Sequence, residues 1–193
     1  MQIGLFGGSF NPPHIGHLIV AEAVRDQFSL DAIWWIPNAT PPHKSDDGLA
    51  SADHRRAMTE CAIQGNPAFR LCDVELRREG VSYMVDTVRI VQRECPKATF
   101  HLIVGSDSLD TFGTWHRPDE IAERVRLIVY NRPGGRSAVA DRAYANAVRY
   151  AAAPSLEISS TEIRARCRAG RSIRYVVPDA VRAYIQAHCL YTD

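Results

Sequence analysis

The amino-acid sequence predicts an α/β fold, an open parallel sheet with crossover helices. Three observations carry this expectation. Short apolar runs of strand length alternate with longer amphipathic stretches along the chain, the pattern of successive βαβ units. The chain opens as strand, glycine turn and helix start within its first seventeen residues. Its 193 residues suit one domain, with 46% hydrophobic and 23% charged residues as in ordinary globular proteins. Residues 1–193 are therefore read as one unit, with C-terminal helices from about 159 to 193 packed on it.

Gln2–Phe6 is the first buried strand, and Gly7–Pro13 a tight turn. A helix opens at His14-Ile15-Gly16-His17 and runs through Leu18, Val20, Val24 and Phe28. Ala32–Pro37 is the second strand, followed by a proline-rich loop, Asn38–Ser45. Residues 52–64 read as a helix with Ala57, Met58, Cys61 and Ala62 inward, and Phe69–Val74 as an alternating strand. After Gly80, residues Met84, Val85, Val88 and Val91 mark an amphipathic helix ending near Cys95-Pro96. Phe100–Val104 is a buried strand, short helices fit 106–112 and 117–124, and Val125–Tyr130 is the next strand. Asn131–Arg136 reads as a turn, Ala140–Tyr150 as helical by composition, and Leu156–Ile158 as a short last strand. Helices fit 160–169 and 178–187.

In open parallel sheets, ligands sit outside the carboxyl ends of the strands. That rule gathers Gly7–His17, Asn38–Ser45, Gly105–Ser108, Asn131–Arg136 and Ser159–Arg164 around one cleft. The first of these has the chemistry of a phosphate site. Glycines let an anion approach the backbone, and a helix start offers unpaired N–H groups with a partial positive charge. Turn and capping needs alone explain the glycines and prolines. They do not explain His14 and His17, three apart on one side of the first turn. No Gly-Lys-Ser/Thr follows, and Gly4, Gly7 and Gly8 lack the dinucleotide spacing.

Ser159 and Glu162 match a capping box, which leaves Ser160, Thr161 and Arg164 around a second set of exposed N–H groups. His43 and Lys44 place two cations on a stiff loop at a strand's carboxyl end. Asp107 is a helix cap or an acceptor for ribose hydroxyls. Trp115 is a core anchor or a stacking surface for a flat ring.

Formal net charge is +1, so no global field points to nucleic acid or an anionic membrane. No apolar run is long enough to span a bilayer, and the apolar start lacks the basic flank of a signal peptide. Five scattered cysteines (Cys61, Cys72, Cys95, Cys167 and Cys189) with no CxxC pair read as reduced thiols of a cytoplasmic protein.

Gly7–His17, with its His14-Ile15-Gly16-His17 string, resembles the N-terminal signature of the nucleotidylyltransferase superfamily. Further segments resemble the bacterial nicotinate-nucleotide adenylyltransferases. These are Ile36-Pro37-Asn38 through Pro41-Pro42-His43-Lys44; Ser82-Tyr83 with Asp86-Thr87-Val88; Gly105–Ser108; Thr111-Phe112 with Thr114-Trp115; Arg132-Pro133-Gly134; Ile158–Arg164; and the ending Leu190-Tyr191. The resemblance implies a Rossmann-like, doubly wound parallel sheet in the three-layer α/β/α nucleotidylyltransferase fold. It implies adenylyl transfer from ATP to nicotinate mononucleotide in NAD biosynthesis, with Mg²⁺ accompanying ATP.

By that resemblance, Gly7, Gly8, Ser9, Phe10, His14 and His17 hold ATP. Lys44, Ser160, Thr161 and Arg164 grip its outer phosphates. Gly105, Asp107, Arg132 and Ile158 border ribose or base. Asn38, Ser82, Tyr83, Met84, Trp115 and His116 surround the acceptor nucleotide, with Trp115 stacked on its pyridine ring. His14, His17, Lys44 and Arg164 are the expected catalytic groups, and no protein-held metal site is expected. Met84 stands where the family usually has Thr, His116 where Tyr is common, and Asn11 where Asp is frequent. The first two bear on acid-versus-amide preference.

The rival expectations are a nicotinamide mononucleotide or phosphopantetheine adenylyltransferase of the same fold, and a nucleotide-binding sensor without turnover. A homo-oligomer is compatible with the sequence.

Overall fold

The structure, a computed structural model, describes residues 1–39, 48–78, 80–131, 144–154 and 156–192. Six strands form one parallel sheet: β1 (Gln2–Gly8), β2 (Ala32–Pro37), β3 (Phe69–Leu71), β4 (Thr99–Gly105), β5 (Arg126–Tyr130) and β6 (Val148–Ala151). Their order is β3-β2-β1-β4-β5-β6, which is the doubly wound order. The described helices are α1 (Ile15–Gln27), α2 (Ala52–Ile63), α3 (Met84–Glu94), α4 (Ser106–Asp110), α5 (Pro118–Arg124), α6 (Ser160–Arg168) and α7 (Asp179–Ala187).

The period of two along a strand sends alternate side chains to opposite faces. Phe6, Ile33, Trp35, Ile103, Ile128 and Tyr130 join one core with residues of α1, α2, α6 and α7. Ile3, Leu5, Ile36, Leu102, Val104, Leu127 and Val129 join the other with residues of α3, α4 and α5. Helices thus cover both faces, and the central strands read as continuous apolar runs because neither face meets water. Gly4 is a packing requirement in β1. A Cβ there would sit 2.7 Å from Ile33 Cδ1 and 2.8 Å from Ile103 Cδ1.

Three sequence expectations are corrected. β3 stops at Leu71 because the N–H groups of Leu76 and Arg77 bond back to the Asp73 carbonyl and curl the chain into a turn. Val148–Tyr150 is not helical: Val148–Ala151 is edge strand β6, paired with Leu127–Tyr130. Leu156–Ile158 forms no strand and lines the cleft instead. At the edge, pairing with β5 and burial of Val148 and Ala151 override an alanine-rich composition. The inward face of α2 is also rotated from expectation. Met58 and Ala62 are buried, but with Arg55, Thr59 and Ile63.

The C-terminal helices lie against the N-terminal half of the sheet. The Ile15 N–H bonds to the Val176 carbonyl at 3.0 Å, and α7 packs on α2, where His54 Nδ1 and the Tyr184 hydroxyl lie 3.0 Å apart. Among the described residues no helix is long and apolar enough to cross a membrane.

Candidate active site

The chain leaves β1 toward β2 on one side and crosses from β3 to β4 on the other, so the winding reverses between β1 and β4. A cleft of about 1430 Å³ opens at their carboxyl ends, larger than the roughly 300–1,000 Å³ of a single small-ligand pocket.

One wall is the turn after β1. Gly7 and Gly8 serve close approach there: a Cβ would sit 3.1 Å from Met84 Cε at Gly7, and 3.1 Å from the Phe10 ring at Gly8. The left-handed residue of the turn is Phe10, at φ +44°. Such backbone costs about 1–3 kcal/mol. It is offset by packing, because the Phe10 ring is 2% exposed and contacts Phe6 and Trp35 at centroid distances of 5.7 and 5.1 Å.

His14 caps α1 with extended backbone. Its ring stacks on that of His17, centroids 3.6 Å apart. His17 Nδ1 accepts the His14 backbone N–H at 3.2 Å. Phe6 and Phe10 meet the His17 ring in T-shaped contacts, centroids 6.0 and 5.3 Å away.

The start of α6 faces this turn. The Ser159 hydroxyl accepts the Glu162 N–H at 3.1 Å, which is half of the expected capping box. The Glu162 carboxylate instead pairs with Arg166 and Arg171. The Ser160 hydroxyl donates to the Pro12 carbonyl at 2.8 Å, so its proton is already committed. Arg164 Nη1 donates to the Asn11 carbonyl at 2.9 Å, while its Nε is buried without a hydrogen-bond partner among the described residues.

The opposite wall is made by the start of α3 and the segment after β4. Tyr83 and His116 lie ring against ring, centroids 4.3 Å apart and tilted by 31°. Trp115 follows a 3₁₀ turn (Phe112–Thr114) and leans on Phe112. The Asn38 N–H bonds to the Gly8 carbonyl at 3.0 Å, tying the end of β2 to the glycine turn.

Gly7, Gly8, Ser9, Phe10, His14, His17, Asn38, Ser82, Tyr83, Met84, Gly105, Asp107, Trp115, His116, Ile158, Ser160, Thr161 and Arg164 all line this one cleft. Lys44 and Arg132 lie outside the described residues.

Two residues that sequence reasoning missed are built into the walls. Arg55, 1% exposed, donates to the carbonyls of Ala50, Ser9, Asn38 and Ala39 at 3.0, 3.1, 2.6 and 2.6 Å. Burial pulls its pKa below the usual arginine range. Glu75, 3% exposed, lines the cleft and accepts the Thr87 hydroxyl at 2.7 Å. Arg78 Nη2 donates in turn to Thr87 Oγ1 at 3.3 Å. Burial pushes the Glu75 carboxyl up, against the pull of Thr87 and Arg78. A buried charge inside an apolar periodicity leaves no sequence signal. Among the described residues no group of three or more His, Cys, Asp or Glu could hold a metal ion.

The cytidylyltransferase-like family matches residues 5–166. A protein of Salinibacter ruber (strain DSM 13855 / M31), named "Probable nicotinate-nucleotide adenylyltransferase", is 67% identical over 191 residues, which is 99% of this chain and 98% of that one. The chain belongs to the nicotinate-nucleotide adenylyltransferase family. The nicotinate-nucleotide adenylyltransferase of Bacillus subtilis (strain 168) is 38% identical, with 98% of each chain covered.

The fold of this nicotinate-nucleotide adenylyltransferase family member has solved counterparts at low sequence identity. Plasmodium falciparum nicotinic acid mononucleotide adenylyltransferase complexed with NaAD superposes with a TM-score of 0.82 at 21% identity, covering 98% of this chain and 97% of that one. The same enzyme complexed with APC gives 0.80 at 20% identity, covering 98% and 96%.

Proposed function

We propose that this chain transfers the adenylyl group of ATP to nicotinate mononucleotide, forming nicotinate adenine dinucleotide and pyrophosphate in NAD biosynthesis. The observation that carries the reading is the single cleft at the β1/β4 reversal. It joins a wall of glycines, paired histidines and a helix start to a wall of aromatic rings and α3 backbone donors. The first wall suits a polyphosphate, the second a flat ring bearing a carboxylate.

A phosphate oxygen of the mononucleotide attacks the α-phosphorus of ATP. The bond from that phosphorus to the bridging oxygen breaks in line, and its electron pair leaves with pyrophosphate. The attacking phosphate is already anionic, so no general base is required. Catalysis rests on positioning and on charge stabilisation. His14 and His17 are assigned to the α-phosphate oxygens, and Arg164 and Lys44 to the leaving pyrophosphate. Mg²⁺ would enter with ATP as part of the substrate and would supply charge neutralisation of the leaving group. Trp115 is assigned to the pyridine face. The N–H groups near Tyr83-Met84 and His116 are assigned to its carboxylate, a role that Met84 serves as well as Thr because the donor is backbone. The cytoplasm is the compartment in which such unpaired thiols persist.

The test is pyrophosphate release by purified protein with Mg-ATP and nicotinate mononucleotide, nicotinamide mononucleotide or phosphopantetheine. Strong preference for the nicotinate nucleotide is the expected result. Preference for the amide would move the chain to salvage, and no turnover with ATP bound would make it a sensor.

A further inference from the structure

We infer that Tyr191, at the far end of the chain, is a positioning residue for the polyphosphate end of the cleft, acting through Asn11. The inference rests on the adenylyl-transfer reading for its substrate.

The Tyr191 hydroxyl donates to Asn11 Oδ1 at 2.6 Å across 180 residues of sequence. Asn11 is 4% exposed, and both ends of its side-chain amide are hydrogen-bonded. Oδ1 also accepts the Ala50 N–H at 3.1 Å, and Nδ2 donates to the Gly48 carbonyl at 2.9 Å. Its own carbonyl receives Arg164 Nη1. One buried residue, through its side-chain amide and its main-chain carbonyl, therefore joins the glycine turn, the 48–50 segment, the Arg164 guanidinium and Tyr191.

The choice of Asn is legible in these bonds. A carboxylate could accept from Tyr191 and Ala50 but could not donate to Gly48. Tyr191 is held in left-handed backbone, φ +65°, which a bulky residue keeps only where its surroundings demand it. Burial raises the affinity of its phenol for the proton and outweighs the nearby Arg164 and Arg55, so the group stays a donor near neutral pH. With the hydroxyl removed, Asn11 loses the anchor that fixes its orientation toward Gly48 and Ala50. The Asn11 main-chain carbonyl that receives Arg164 is then held less firmly at the phosphate wall.

Tyr191→Phe removes one oxygen and keeps the ring. The expected result is about a fivefold rise in the Kd of Mg-ATP without acceptor and in the KM for ATP, the size of one hydrogen bond. The KM for the acceptor should stay within about twofold. Asn11→Ala should weaken ATP at least as much, and the double variant should be no worse than Asn11→Ala alone. Tyr175→Phe, a change at a ring that is 83% exposed, is the control and should alter none of these values.

An unchanged ATP Kd in Tyr191→Phe overturns the inference. So does an equal rise in both KM values accompanied by a lower Tm, which would mark a purely structural anchor. Additive losses in the double variant overturn the route through Asn11. The ATP-binding arm needs no acceptor. A wild-type protein that binds Mg-ATP without releasing pyrophosphate would therefore sink the proposed function while still deciding the role of Tyr191.

Discussion

His17 receives the backbone N–H of His14 on its Nδ1 at 3.2 Å while the two rings stack at 3.6 Å. A ring nitrogen that accepts a backbone N–H carries no proton. The proton of His17 therefore sits on Nε2, leaving that atom as a donor. The same bond satisfies one of the orphan donors at the start of α1. Fold and chemistry thus meet in one imidazole.

His17→Ala should lower kcat by about 10²–10³, as loss of a transition-state donor does, with the KM for ATP changed by less than about threefold. Steady-state kinetics beside a thermal melt checks this. A kcat equal to wild type would remove the catalytic role.

Arg55 holds four backbone carbonyls from three segments with one guanidinium. Arg55→Met should destabilise the fold by about 3 kcal/mol, because each buried carbonyl left unpaired costs about 1–3 kcal/mol and water entering the cleft recovers part. Arg55→Lys should regain less than half, since an ammonium cannot reproduce the planar fork. Urea denaturation measures both, and a lysine variant as stable as wild type would show that charge alone suffices.

Much of this architecture is legible from sequence because its elements are periodic. β2 lies at the expected Ala32–Pro37, and α3 at Met84–Glu94, ending where Cys95-Pro96 predicts. The cleft is legible because parallel sheets gather their ligands at strand ends. β6 is not, since four residues with only Val148 and Ala151 buried carry no alternation and are set by pairing with β5. Arg55 and Glu75 are hidden because their partners are main-chain carbonyls and a threonine distant in sequence. The bond from Asn11 to Tyr191 spans nearly the whole chain, and no local pattern encodes it.

Trp115 and Met84 separate two sources of acceptor recognition. Trp115→Ala should raise the KM for nicotinate mononucleotide about tenfold, the upper range for loss of an aromatic contact, and leave the KM for ATP unchanged. Met84→Ala should keep the preference for acid over amide, because only its backbone N–H is assigned to the carboxylate. Competition kinetics with the two mononucleotides decides, and a preference that collapses in Met84→Ala would place recognition in the side chain.

Glu75 links the acceptor wall to pH. Burial raises its pKa above the usual 4.5, against the Thr87 hydroxyl and Arg78, which pull it down. A carboxyl with a raised folded-state pKa binds its proton more tightly folded than unfolded. Its contribution to stability is therefore fully present below the unfolded value and is lost as pH rises from 4.5 through the higher folded value. Glu75→Gln keeps an oxygen for Thr87 and abolishes the titration. The Tm of Glu75→Gln relative to wild type should thus become more favourable as pH rises from 4.5 and level off above the raised folded-state value. Other titrating groups are shared by both proteins and cancel in the difference. Thr87→Val, which removes a bond that favours the ionised form, should move the wild-type transition to higher pH. A difference in Tm that stays flat across the range would mean that Glu75 ionises at its ordinary pH.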